Sequence, residues 1–173
     1  MRKNRVLEIL AAAIALAAIA AIIKADKGFY AECTPQEGYL GSVTVYDAGG
    51  DAVYKWYSAS GYVLSADVSD SGKYLAAACE EDGRGKVHIF RTDDINEAGL
   101  FDSNEIVVDV GYLGNRLCAL TEHGVYMLSD RGRVKKHVKF HGILGDYEFA
   151  DGELSVEVRS YMSGGETKHL SFD

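Results

Sequence analysis

Three aspartates, Asp67, Asp109 and Asp146, recur inside apolar runs, in the stretches SAD, VVD and LGD. A carboxylate in such a run must be hydrogen-bonded or face water. One role that fits is structural, accepting bonds from neighbouring N–H groups or lining a wet channel. The other is a set of axial carboxylates that binds a cation or a basic ligand. Tyr54, Trp56 and Tyr57 form the densest aromatic group. They either seal one strand edge against its neighbour or offer an aromatic contact patch to a protein or a glycan. His137 and His141 would share a face of a strand, but about 13 Å apart, too far for one metal ion. The acidic runs Glu80-Glu81-Asp82 and Asp93-Asp94 flank turns and lack the alternating oxygens of a calcium loop. No G-x-S-x-G, H-E-x-x-H, C-x-x-C, G-x-G-x-x-G or P-loop occurs. Nothing pairs a nucleophile with a base. The residues therefore predict no catalytic site, no metal and no cofactor.

The elements that must carry these side chains are short strands. Gly is abundant at 19 residues and Pro occurs once, a balance that suits a turn-rich β-protein. Ser71-Gly72, Asp82-Gly83, Gly49-Gly50, Asp151-Gly152 and Gly164-Gly165 are hairpin dipeptides. Three segments starting at Val43, Val87 and Val125 align with one another, a period near 40 residues with four short strands in each. The flanking stretches 28–47 and 155–172 match half of the same unit, for about fourteen strands in all. LAAAC, VHIF, IVVDV, LCAL and VYML are apolar throughout. Continuous runs of this kind belong to strands covered on both faces. VKKHVKF alternates, as a strand with one wet face should, and AVYKWYS is the same kind of strand with an aromatic bias. This predicts an all-β fold: an incomplete β-propeller-like array of about three and a half four-stranded blades.

Residues 1–27 stand apart as a signal-anchor or signal peptide, with residues 28–173 as the propeller-like domain. Arg2, Lys3 and Arg5 precede an unbroken apolar run from Ile9 to Ile23. That charge bias marks an N-terminus kept inside, with the remainder exported. The run is short for a membrane span and rich in Ala. It reads as an uncleaved N-terminal transmembrane helix, as a signal cut after Ala18-Ile19-Ala20, or as a soluble Ala-rich helix. Beyond Lys27, 13 Lys and Arg face 24 Asp and Glu, a formal charge of −11. Such a surface repels nucleic acid and stays soluble. Cys33, Cys79 and Cys118 each lie in an apolar run and read as small buried side chains, with a Cys33–Cys79 bridge open in an oxidising compartment.

The stretch VSDSGKYLAAA (68–78) resembles the S-x-D-G-K-x-L-A turn of bacterial propellers of the TolB-like and WD-repeat-like kinds. With the apolar segment before it, the run from Ser42 to Phe90 is similar to a bacterial family of membrane-anchored, propeller-like proteins of unknown function. The resemblance covers about residues 29–172. It implies an extracytoplasmic, membrane-tethered, non-catalytic binding or scaffold module, with an envelope protein or a glycan as partner. Family members look to carry about twice as many blades. The expected alternatives are therefore ring closure by a homodimer, a truncated propeller fragment without independent function, or an exported propeller hydrolase.

Overall fold

The structure is a computed structural model, and it describes residues 28–34, 40–94, 96–150, 152–160 and 167–172. The expected N-terminal helix and the Gly164-Gly165 turn lie outside the described residues. Among the described residues, no helix is long and apolar enough to cross a membrane.

Among the described residues every element is a strand: β1 (Phe29–Thr34), β2 (Ser42–Asp47), β3 (Ala52–Tyr57), β4 (Tyr62–Val68), β5 (Tyr74–Glu81), β6 (Arg84–Arg91), β7 (Glu97–Ser103), β8 (Val107–Leu113), β9 (Arg116–Thr121), β10 (Gly124–Leu128), β11 (Val134–Lys139), β12 (Ile143–Ala150), β13 (Glu153–Arg159) and β14 (Thr167–Phe172). They form four antiparallel meanders, β1-β2-β3, β4 to β7, β8 to β11, and β12-β13-β14. Each pairs only consecutive strands. The aligned sequence units therefore straddle sheets: the unit starting at Val43 takes β2 and β3 from the first sheet and β4 and β5 from the second.

Packing explains the continuous apolar runs. In β5, Leu75 and Ala77 join Val43, Val45, Val68 and Phe90 in the cluster between the first and second sheets. Ala76 and Ala78 point the other way, into the cluster between the second and third, with Val87, Ile89, Val107, Leu117 and Ala119. β9 repeats the arrangement. Leu117 and Ala119 face the second sheet, while Cys118 and Leu120 face the fourth with Val125, Leu154 and Val156. A strand alternates its side chains between two faces; here both faces are cores, so the middle of each strand, Leu75–Cys79 and Leu117–Leu120, holds no polar residue. Outer strands behave differently. In β11, Val134, Lys135, Lys136 and Lys139 are exposed. Among the described residues, the three buried clusters join consecutive sheets and none joins the fourth to the first.

The hairpins follow the turn chemistry. Asp82 (φ 53°) is the one non-glycine with positive φ among the described residues, and with Gly83 (φ 76°) it closes β5–β6 as two left-handed residues. The turn SDSGK (69–73) recurs as SDRGR (129–133). Each Gly is left-handed, Gly72 at φ 70° and Gly132 at φ 72°, and each amide bonds the carbonyl of the serine three residues earlier. Truncating Leu117 to Ala should cost about 3 kcal/mol, because its fully buried side chain stands at the junction of two sheets. Lys136→Ala on the wet face of β11 should change stability by less than about 0.5 kcal/mol. Urea unfolding of both variants checks the contrast.

Candidate functional site

The first strands of successive sheets, β4, β8 and β12, carry the three aspartates, and each strand has a register shift. Pairing skips between Val63 and Ser65, between Val107 and Asp109, and between Leu144 and Tyr147. The extra residue of such a bulge re-aims the side chains around it. In β12 the first paired residue after the shift is Tyr147, opposite Val156, and Asp146 lies within the shift; in β4 and β8 that place falls to Ser65, opposite Ala78, and to Asp109, opposite Leu120. Asp67 lies two residues further on, opposite Ala76. The three aspartates thus share a strand type but not one position. The sequence could not show this, because the bulges insert residues at points that no residue type marks.

Their environments diverge accordingly. Asp67 accepts a bond from the Tyr112 backbone N–H of the next sheet (2.7 Å). Ser65 donates its hydroxyl to Asp109 and accepts from the Val110 N–H at 3.3 Å. Asp109 also accepts from the Val110 N–H at 2.8 Å, and the Tyr147 phenol of β12 bonds to it. Burial, followed by the Asp109 charge and bond, holds the Tyr147 phenol above its ordinary range. Asp67 and Asp109 therefore stitch neighbouring sheets together, whereas Asp146 is exposed and lines an open recess of about 440 Å³ with Tyr147, Glu148 and Glu157. Among the described residues, no group of three His, Cys, Asp or Glu is placed to hold a metal.

The same strands expose large apolar side chains beside these carboxylates: Tyr62 (59% exposed), Leu64 (45%) and Ile143 (55%), with Tyr147 at their margin. Leu64 is the unpaired residue of the β4 bulge, turned out of the ladder. The aromatic group on β3 divides by strand alternation. Tyr54 and Trp56 face the second sheet, with ring centroids 6.4 and 4.9 Å from Phe90. Tyr57 faces outward, with the Lys55 Nζ 5.1 Å from its ring centre.

Beside Trp56 lies a polar network on which sequence reasoning was silent. Glu81, only 7% exposed, accepts bonds from the Ser60 hydroxyl (2.9 Å) and the Lys86 ammonium, and lies 3.0 Å from His88 Nε2. His88 Nδ1 is 2.7 Å from Glu97 Oε1, and its ring packs 5.5 Å from Trp56. Burial by itself would raise the Glu81 carboxyl, but the bonds from Lys86, Ser60 and His88 outweigh it and hold it below the ordinary carboxylate range. Glu81 reads as part of a turn-flanking acidic run until β5, β6 and β7 pair and bring Lys86, His88 and Glu97 to one face. Both imidazole nitrogens are engaged by carboxylates, so His88 is built in rather than poised as a base.

The cysteines are free thiols. Cys79 and Cys118 are buried as expected, and burial pushes their thiols up to about 12 and about 11, leaving them unreactive. Cys33 departs from the expectation: it is exposed, because the cover over β1 ends before its last two residues.

Among solved structures, the chain is similar to the β-propeller domain of Cps50 (Swd1) from Myceliophteria thermophila, with TM-score 0.55 and 16% identity over 78% of this chain and 46% of that one. The fold is that of a β-propeller. The Pan2 WD40 domain of Neurospora crassa matches at TM-score 0.52 and 13% identity, over 82% of this chain and 48% of that. A chain of the mitotic checkpoint complex matches at 0.54 and 17%, over 73% and 45%. This chain spans just under half the length of each of these three chains. No family model matches the chain, and no curated protein does.

The network generates a pH prediction. The folded-state pKa of Glu81 is depressed, so its contribution is complete above the unfolded value of about 4.3 and is lost as pH falls through the folded value. Glu81→Gln should destabilise the protein by about 1–3 kcal/mol at neutral pH and should flatten the acid limb of a stability–pH curve measured by urea unfolding.

Proposed function

We propose that this chain is a non-catalytic interaction module that binds a protein partner across the inner strands of its propeller. The observation that carries the reading is the exposure of Tyr62 and Leu64 on β4 and of Ile143 on β12, the strand that also exposes Asp146. Aromatic and aliphatic side chains left in water next to a few carboxylates are the makings of an interface core with a polar rim. The use of the fold in the mitotic checkpoint complex, an assembly of proteins, is in keeping with this reading. The two carboxylates taken up in ties between sheets, and the His88 ring held between Glu81 and Glu97, leave no nucleophile–base pair in the sites described. We further propose that residues 1–27 tether the module to a membrane with the propeller on the outer side. Arg2, Lys3 and Arg5 ahead of the Ile9–Ile23 apolar run support that orientation.

Two experiments test this. Affinity capture with the full chain should recover a defined partner that a Tyr62→Ala/Leu64→Ser double variant loses at unchanged thermal stability; equal recovery by both would remove the inner-strand surface as the docking face. Protease added to intact cells should digest residues 28–173 but spare a cytoplasmic control, and protection of the domain would overturn the tether and its orientation.

A further inference from the structure

The two copies of the S-D-x-G-basic turn are separate in sequence but meet in space. Turn 69–73 joins β4 to β5 and turn 129–133 joins β10 to β11; the second turn lines a cleft between the second and third sheets that Tyr74, next to the first turn, also walls. The cleft has a volume of about 680 Å³, and its walls include Tyr74, Arg91, Asp130, Arg131, Arg133 and Lys135. A smaller recess of about 170 Å³, walled by Ser69, Ser71, Lys73 and Tyr112, shares Tyr74 and Asp130 with it. In a chain of net charge −8, the two together gather five cationic side chains and one carboxylate. Arg91 is neutralised by Asp93, at 2.6 Å. The side chains of Arg131, Arg133 and Lys135 have no ion-pair or hydrogen-bond partner among the described residues.

The walls are built to hold this shape. The turn 129–133 lies directly on β7. An added Cβ at Gly132 would strike the Leu100 carbonyl, and one at Gly99 would strike the Arg131 backbone. The turn is pinned within itself by the Ser129 hydroxyl, which accepts from the Arg133 N–H at 3.2 Å. The three cations are thus presented from a fixed backbone.

A second, independent observation comes from the recess. Tyr112 is 6% exposed, packed in the core between the two sheets, and its hydroxyl has no hydrogen-bond partner. A buried hydroxyl without a partner costs about 1–3 kcal/mol, so a native chain keeps one where something else supplies the acceptor.

We propose that this cleft is an oxyanion-binding site: a carboxylate or phosphate group sits among Arg131, Arg133 and Lys135, and an oxygen of the same ligand accepts the Tyr112 phenol. Guanidinium groups offer forked donors that match carboxylate and phosphate geometry, and Lys135 adds a point charge. The site lies at the end of the strands that carries the β4–β5 and β10–β11 turns, apart from Tyr62, Leu64 and Ile143, and does not depend on the function proposed for them.

The test uses the full chain and two probes, a hexaglutamate peptide and inorganic pyrophosphate, titrated at low salt by calorimetry with amide shifts of Gly99 and Gly132 as the site readout. At least one probe should bind with both amides shifting, and which one does separates a carboxylate from a phosphate source. Arg131→Glu/Arg133→Glu should weaken binding at least about tenfold. Tyr112→Phe should weaken it several-fold while leaving the melting temperature unchanged or raised, because the hydroxyl makes no bond in the free protein. Failure of both probes to bind, binding undiminished in the double reversal, or a marked loss of stability in Tyr112→Phe would each overturn the proposal.

Discussion

The structure depends on the burial of its middle strands from both sides. β5 and β9 send alternate side chains into different cores, and each core is completed by the next sheet. A three- or four-stranded meander of this kind has two apolar faces and cannot hide both by itself. The sheets therefore stabilise one another as a row, and small side chains such as Ala76, Ala77 and Ala78 are what let successive sheets approach closely. Large residues then concentrate at the junctions, with Ile89 and Leu117 in one cluster and Leu120 and Leu154 in the next.

Polar side chains serve the same stacking in a different way. The first strands lie at sheet edges, where backbone groups have no ladder partner on one side. Asp67 and Ser65 fill that need by taking N–H groups from β8, and Asp109 passes the tie onward to Tyr147 of β12. At the opposite margin of the second sheet, Glu81 collects Lys86, His88 and Ser60 beneath Trp56. Asp67, Asp109 and Glu81 are each offset by bonded donors, as their burial requires. What the stacking leaves over is of two opposite characters: exposed apolar side chains on β4 and β12, and a basic cleft beside the turn 129–133 in an otherwise acidic protein.

Much of the architecture was legible in the residues. LAAAC and LCAL lack alternation because both faces are core, and that alone pointed to stacked sheets. VKKHVKF alternated and proved to be an outer strand. Asp82-Gly83 and Ser71-Gly72 fell in turns with left-handed residues. What escaped was register. The bulges at Leu64 and Val108 carry no distinguishing residue type, so Asp67 aligned with Asp109 by eye although it sits two positions away. The sheet frame escaped too, because a repeat read from sequence has no natural starting strand. Contacts across sheets were hidden for a related reason. His88 and Glu97 lie on paired strands, and Arg131 meets the second sheet at Gly99, 32 residues away in sequence, so neither pairing has a local spacing to signal it.

Native-state hydrogen exchange at increasing denaturant tests the mutual dependence of the sheets most directly. The amides of Ala77 in β5 and Ala119 in β9 should converge on a single unfolding free energy, since neither strand keeps both of its cores without the other. Separate isotherms, with β9 still protected where β5 has opened fully, would contradict the account.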